Sequence, residues 1–152
     1  MILSGIISEK APNFTWEEVI YSKKGRSLGY ANIPDEQTAE HVQHLCENYL
    51  QPLRDHLARP VELNSCYRSP AVNRAVGGAP QSFHVKGLAA DIRCDNVIEA
   101  CRMLLFFVER NKDGQYPWHE MLISKNGIKW WLHLAVPMPG DTPKMTTSVS
   151  RY

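Results

Sequence analysis

Two residue types that can bind a borderline metal ion lie close together near the middle of the chain. His84 and Asp91 are seven positions apart, and Gly87 lies between them. Imidazole and carboxylate groups suit zinc, and a glycine gives the chain freedom to turn between them. A second histidine, His133, lies far downstream in an apolar run. Two histidines and one aspartate would leave one coordination position open for water, as in a catalytic zinc site.

Each of these residues also has an ordinary structural explanation. A single histidine in an apolar strand is more often a hydrogen-bonded core residue than a ligand. Asp91 could cap the turn that follows it, and His84 could bond to a backbone carbonyl group. The metal hypothesis therefore depends on the whole pattern.

That pattern resembles the zinc D-alanyl-D-alanine carboxypeptidases, the M15-type peptidases. One block reads Ser-x-His-x-x-Gly-x-Ala-x-Asp from Ser82 to Asp91, and a Trp-rich strand ends at His133. An upstream block, which begins at Ser65, is similar to that family's Ser-x-Tyr-Arg-Ser-Pro motif. The likeness covers nearly the whole chain, from about residue 14 to about residue 136.

The resemblance implies a zinc peptidase that acts on peptidoglycan stem or cross-link peptides, as a D,D-carboxypeptidase or an endopeptidase. It implies that the zinc ligands are His84, Asp91 and His133. Arg68 matches the arginine of that family that binds a carboxylate or stabilises a developing oxyanion. A structural salt bridge is the alternative for this arginine.

Three further residues are candidate substrate contacts. Ser82 would hydrogen-bond either to the substrate or to a metal ligand. Tyr67 and Trp131 would form walls of the cleft, or would belong to the core.

The proton carrier is the point where this sequence departs from the family. Many M15 enzymes carry a glutamate three residues before the last zinc-binding histidine, and Trp130 occupies that position here. Other members carry an acid near the end of the preceding strand, where this chain has Ser124. Glu120 is the only carboxylate on the predicted hairpin, so we take it as the candidate general base. The alternative is an acid that orients His133.

The position of Glu120 is predicted from a β-hairpin. Asn126-Gly127 lies between two apolar runs, which is typical of a two-residue type I′ turn. That turn pairs Lys125 with Ile128 and sets Glu120 directly opposite His133. The same register places one apolar set on the face that packs against helices: Met121, Ile123, Trp130, Leu132 and Leu134.

The remaining elements give an α+β fold, a small, mainly antiparallel sheet with flanking helices, and the resemblance implies a hedgehog/D-Ala-D-Ala-peptidase-like version of it. Capping residues predict helices after Thr15, Ser69 and Asp95, and Pro52 is expected to kink or divide a long helix that begins at Asp35. The helix after Asp95 has an apolar stripe of Val97, Ile98, Cys101, Leu104, Leu105 and Val108.

Three segments are expected to lie outside this framework, within a single domain of residues 1–152. Residues 1–13 form a loosely tied lead-in, residues 23–32 a polar loop that could border the cleft, and residues 137–152 an extended or disordered tail.

Bulk composition restricts the partners. The chain has 152 residues, 43% of them hydrophobic, and a formal net charge of +1, so its bulk charge implies no electrostatic attraction to nucleic acid or a membrane. We expect a monomer, made in the cytoplasm without a signal peptide, that acts on the cell wall or in a phage or prophage context. The alternative function is a catalytically impaired relative that binds wall peptides or serves as a phage structural protein.

Overall fold

A five-stranded sheet forms the centre of the computed structural model, which describes residues 3–150. Its strand order is β3-β4-β6-β5-β7, and all neighbours are antiparallel except β5 and β7. A separate two-stranded sheet pairs β1 with β2. The strand bounds are β1 Ile6–Ser8, β2 Ala11–Thr15, β3 Leu63–Ser65, β4 Ala89–Cys94, β5 Glu120–Asn126, β6 Lys129–Ala135 and β7 Thr146–Val149.

In chain order, the helices of the described residues all lie between β2 and β5. None in residues 3–150 has the length and apolar character that a bilayer crossing requires. Together with the sheet they confirm the predicted α+β class. Their bounds are α1 Trp16–Val19, α2 Lys23–Ser27, α3 Glu36–Leu45, α4 Gln51–Leu57, α5 Pro70–Ala75 and α6 Val97–Arg110, with a π-helical turn at Cys46–Leu50.

Side-chain caps set where several helices begin. Thr15 and Ser69 accept hydrogen bonds from backbone N–H groups three residues on, as predicted. The predicted cap at Asp95 is wrong by one position, because Asn96 accepts from the Glu99 N–H at the start of α6.

Pro52 was expected to kink or divide the long helix, but residues 36–57 are helical without a break and contain a π-helical turn, Cys46–Leu50, just before the proline. As a proline, Pro52 cannot donate a hydrogen bond to the carbonyl group of Asn48, four residues earlier. The π-helical turn precedes α4, and Arg110 Nη1 donates to the Asn48 carbonyl at 3.0 Å instead. The carbonyl freed by the proline is therefore satisfied from α6.

Part of the hydrophobic core lies between one face of the large sheet and α6, and buried residues of α3, the π-helical turn and α4 belong to the same cluster. Met121, Ile123, Leu132 and Leu134 are all at most 2% exposed, and α6 packs against β4, β5 and β6. This confirms the predicted apolar face. Because successive strand residues point to opposite faces, His133 projects from the other side of the sheet.

The predicted apolar stripe of α6 is wrong. Its buried residues are Ala100, Met103 and Phe107, whereas Ile98 and Leu105 are 60% and 61% exposed. Apolar residues occur almost all around this helix, so periodicity alone could not choose its inner face.

Two segments assigned to loose or loop structure are ordered elements. The lead-in prediction is wrong, because β1 and β2 pair and bury Ile7, Ala11 and Phe14 in the core. Residues 1 and 2 lie outside the described part. The polar loop prediction is also wrong for Lys23–Ser27, which forms α2.

Part of the C-terminal segment, for which an extended or disordered tail was predicted, is an edge strand of the large sheet. Thr146–Val149 pairs in parallel with β5, although all four residues are exposed. A short, polar edge strand of this kind is held by backbone hydrogen bonds, which side-chain patterns do not reveal. Residues 151 and 152 lie outside the described part.

The β5–β6 hairpin has a two-residue loop, but the predicted loop residues and register are wrong. Asn126 pairs with Lys129, so the loop is Gly127-Ile128. Gly127 has φ +59° and Ile128 stays outside the left-handed region. A glycine in the first loop position fits a type II′ turn rather than type I′.

This register predicts that substitutions at Asn126 and at Gly127 differ in their effect on stability. Asn126→Thr should change the free energy of unfolding by less than about 0.5 kcal/mol, because Asn126 is an exposed strand residue. Gly127→Ala should lose about 1–2 kcal/mol, because alanine is strained at positive φ. Urea unfolding of both variants checks this. A destabilisation of Asn126→Thr as large as that of Gly127→Ala would favour the Asn126-Gly127 turn instead.

Candidate metal centre and cleft

Three potential ligands converge on the face of the sheet opposite α6. Asp91 on β4 and His133 on β6 are directly paired across the two strands, so their side chains leave the same face as close neighbours. His133 Nδ1 lies 2.8 Å from Asp91 Oδ1. His84 comes from the turns before β4 and brings its Nε2 to 3.3 Å from the same oxygen. Ligand atoms of the three residues all lie within 4.8 Å of one another, so the group could hold a metal ion.

His84 is fixed by its surroundings. It is 2% exposed, and its Nδ1 lies 2.6 Å from the carbonyl oxygen of Cys66. Because a carbonyl oxygen only accepts, Nδ1 must carry the proton, and Nε2 then directs a lone pair towards Asp91. The Ser82 hydroxyl accepts from the His84 N–H at 3.3 Å, and the Arg68 N–H donates to the His84 carbonyl at 3.1 Å.

Both histidines face acceptors on two sides. His133 Nε2 lies 3.3 Å from Glu120 Oε2 while its Nδ1 faces Asp91. A neutral imidazole has a single N–H, so in each ring one nitrogen would direct a lone pair at an acceptor. An added proton on each ring, or one cation between them and the carboxylate, removes this conflict. The donor set therefore fits a metal ion.

The charge balance of the cluster agrees with this geometry. Burial by itself raises the pKa of Asp91, but His84 and His133 outweigh it and hold that pKa well below its usual value. Burial likewise tends to lower the pKa of His133, but hydrogen bonds and charge from Asp91 and Glu120 raise it overall. Asp91 is therefore a carboxylate, and the histidines lie in a field that attracts positive charge.

Arg68 is bound to a metal-ligand candidate. Its Nη2 donates to Asp91 Oδ2 at 2.9 Å, and its Nε donates to Ser65 Oγ at 2.8 Å. Asp91 thus presents one oxygen to the histidines and the other to the guanidinium. The structural salt bridge considered for this arginine is present, and the side chain also lines the cleft beside the cluster.

Glu120 reaches His133 by a different route from the one predicted. It pairs with Ala135, and Leu122 is the residue opposite His133. The register shift is two residues, so Glu120 stays on the same face as His133 and becomes its diagonal neighbour. Its Oε2 makes the 3.3 Å contact, and Lys144 Nζ lies 4.0 Å from its Oε1.

The structure separates the remaining site candidates. Trp131 lines a cleft of about 330 Å³ together with Arg68 and Asp91. Tyr67 is 5% exposed and packs in the hydrophobic core, which matches the core alternative left open for it. Ser82 holds the His84 backbone through its hydroxyl group.

A close approach to α3 fixes the loop between His84 and Asp91. Gly87 has φ +72°, and a Cβ atom there would lie 2.7 Å from the backbone oxygen of Thr38. No other residue fits both the conformation and the contact. The predicted turn at this glycine is therefore confirmed, with a packing reason added.

Sequence reasoning missed two kinds of contributor. The Cys66 carbonyl oxygen sets the orientation of His84, but a backbone acceptor leaves no mark in the sequence. Burial raises the pKa of the Cys66 thiol to about 12, so that side chain stays protonated. Lys23 and Lys24 border the cleft. The only prediction that included them was that residues 23–32 form a loop that could border the cleft.

A comparison with protein families shows the family of the chain. Residues 12–120 match the family described as Peptidase M15. Because this match covers more than half of the chain, the chain belongs to the peptidase M15 family. The match ends at Glu120, so His133 is placed at the site by the strand pairing alone. No curated protein matches the chain.

Proposed function

We propose that this chain is a zinc-dependent peptidase that hydrolyses peptidoglycan stem or cross-link peptides. Membership of the M15 family supports a peptidase. The main observation in support of a metal-dependent reaction is the convergence of His84 Nε2, Asp91 Oδ1 and His133 Nδ1 beside an open cleft. The choice of peptidoglycan as substrate comes from the likeness of the Ser65 and Ser82 motif blocks to D-Ala-D-Ala peptidases.

The donor set is compatible with zinc, and the choice of zinc over iron(II), which the same set also binds, comes from the resemblance to zinc peptidases. Two imidazoles and one carboxylate are usual zinc ligands in catalytic sites, where they leave one position open. A zinc ion held there would lower the pKa of a bound water and polarise the peptide carbonyl group. His84, Asp91 and His133 would hold it, and the Cys66 carbonyl oxygen would keep the His84 ring in its ligating orientation.

Arg68 acts on the carbonyl side of the reaction in this proposal. Two of its nitrogens are engaged by Asp91 and Ser65, which fixes the plane of the guanidinium group. Its remaining N–H groups can donate to an oxygen that becomes negative during attack on the peptide bond. Because the group is held in place before the substrate arrives, little reorganisation is required.

Glu120 takes the proton from the attacking water in this proposal. Its side chain is 39% exposed, so it can exchange that proton with solvent and deliver one to the leaving amine. A positioning role is the alternative, and the contact with His133 Nε2 favours it, because that nitrogen points away from Asp91.

A non-catalytic wall-peptide-binding or phage structural protein is the second candidate function. It is favoured by the lack of an acid at positions 124 and 130, where relatives carry one. Ser124 is 5% exposed, and its hydroxyl group is hydrogen-bonded to that of Ser150. Trp130 lies on the face of β6 opposite His133.

The metal assignment predicts about one zinc per chain in purified protein. His84→Ala should lose most of it, because it removes one of three ligands. His56→Ala is the matched control, since His56 is exposed and stacks on Phe106 away from the cluster. Elemental analysis of folded protein, checked by circular dichroism, measures the result. Full zinc retention in His84→Ala, or no zinc in wild type refolded with zinc, would show the assignment to be wrong.

The proton-transfer assignment predicts that Glu120→Gln binds zinc normally and hydrolyses stem peptides about 10²–10⁴-fold more slowly. Glutamine keeps the size and the hydrogen bond to His133 but cannot take a proton. Glu109→Gln is the control, because Glu109 is an exposed carboxylate on α6.

If Glu120 instead positions His133, the outcome differs. Glu120→Gln then weakens zinc binding by about 10–100-fold and leaves the zinc-saturated rate close to that of wild type. A zinc-loaded wild type that hydrolyses no stem peptide would leave only the binding function.

A further inference from the structure

The cleft beside the metal centre has a second wall that carries charge. The cavity of about 330 Å³ has Asp91, Arg68 and Trp131 on its lining, and Lys23 and Lys24 line it as well. A peptide that reached the cluster through this cleft would therefore pass the two lysine side chains.

The two lysines supply the uncompensated charge of the cleft. Its lining includes four charged groups, of which Arg68 and Asp91 neutralise each other through their 2.9 Å salt bridge. Lys23 and Lys24 are exposed. Neither has a carboxylate within 4.0 Å among the residues that the structure describes. Two positive charges thus face the space in which a substrate would lie.

The helix that carries them is firmly positioned. Ser22 caps α2 by accepting from the Gly25 N–H at 3.0 Å. Gly25 is buried, and a Cβ atom there would lie only 2.8 Å from Val72 Cγ2, so α2 packs tightly on α5. The lysines therefore project from a fixed base, and their reach into the cleft does not depend on a loose loop.

We propose that Lys23 and Lys24 form an anion subsite that selects peptides with a carboxylate close to the scissile bond. The inference rests on the proposed function, because it places part of the same substrate in the same cleft. Lysine ammonium groups pair with carboxylates as flexible point charges, so the subsite tolerates a chain-terminal or a side-chain carboxylate. In the proposed function the remaining N–H groups of Arg68 serve the developing oxyanion, so a separate substrate carboxylate is assigned to the lysines.

Three synthetic stem peptides test the subsite: the parent, the same peptide with its terminal carboxylate amidated, and one with a side carboxylate amidated. Wild type should show a lower KM for the parent than for one of the amides, and that amide identifies the carboxylate bound. Lys23→Gln/Lys24→Gln should raise KM for the parent by about threefold to tenfold with kcat unchanged, because each exposed ion pair contributes about 0.2–1 kcal/mol.

The matched control removes two lysines elsewhere. Lys10→Gln/Lys112→Gln makes the same change in net charge at exposed positions that do not line the cleft. It should leave KM unchanged for all three peptides. Lys23→Glu/Lys24→Glu should reverse the preference of wild type, so that the amide that wild type disfavours binds better than the parent peptide. Raising the salt concentration should weaken the preference of wild type for the parent.

Equal KM values for the three peptides in wild type would overturn the subsite, as would an equal effect of the control double variant. Equilibrium binding of the peptides, measured by tryptophan fluorescence, keeps this test separate from the test of the proposed function. If no peptide is hydrolysed, tighter binding of the parent that is lost in Lys23→Gln/Lys24→Gln still supports the subsite. Equal binding of parent and amides would reject it.

Discussion

The site depends on one strand pairing, that of β4 with β6. This pairing sets Asp91 directly opposite His133, although the two residues are 42 positions apart in the chain. Shifting β6 by one residue would turn His133 into the core and move both Leu132 and Leu134 to the opposite face of the sheet. The burial of those leucines therefore stabilises the register that holds the ligands together, so the core and the site share one constraint.

A second constraint is electrostatic. Two imidazoles, two carboxylates and one guanidinium lie within a few ångströms of each other in a part-buried position. Asp91 contacts three of these groups, and its loss would leave the arginine and both histidines without their shared partner. Such an arrangement is expensive for stability alone, which is the physical reason to regard it as a functional site.

The sequence predicted those parts of the structure that depend on residue type and local chemistry. The caps at Thr15 and Ser69 and the turn at Gly87 all follow from local rules, and the structure confirms them. The grouping of His84 with Asp91 and His133 was found through the resemblance, and the geometry agrees with it.

The failures share a different cause. The predicted hairpin register was wrong because Asn-Gly is typical of a type I′ turn, whereas the strand pairing places Gly127 in the first loop position, which fits a type II′ turn. The error was an even number of residues, so Glu120 kept its face and its contact with His133. The inner face of α6 and the edge strand β7 depend on packing and backbone pairing across the fold, which no local pattern records.

Crystals of the protein grown with zinc, and measured at the zinc absorption edge, would test the central claim most directly. The account predicts one strong anomalous peak in contact with His84 Nε2, an oxygen of Asp91 and His133 Nδ1, each about 2.0–2.2 Å away. A peak at other residues, or folded protein with no peak between these three, would contradict it.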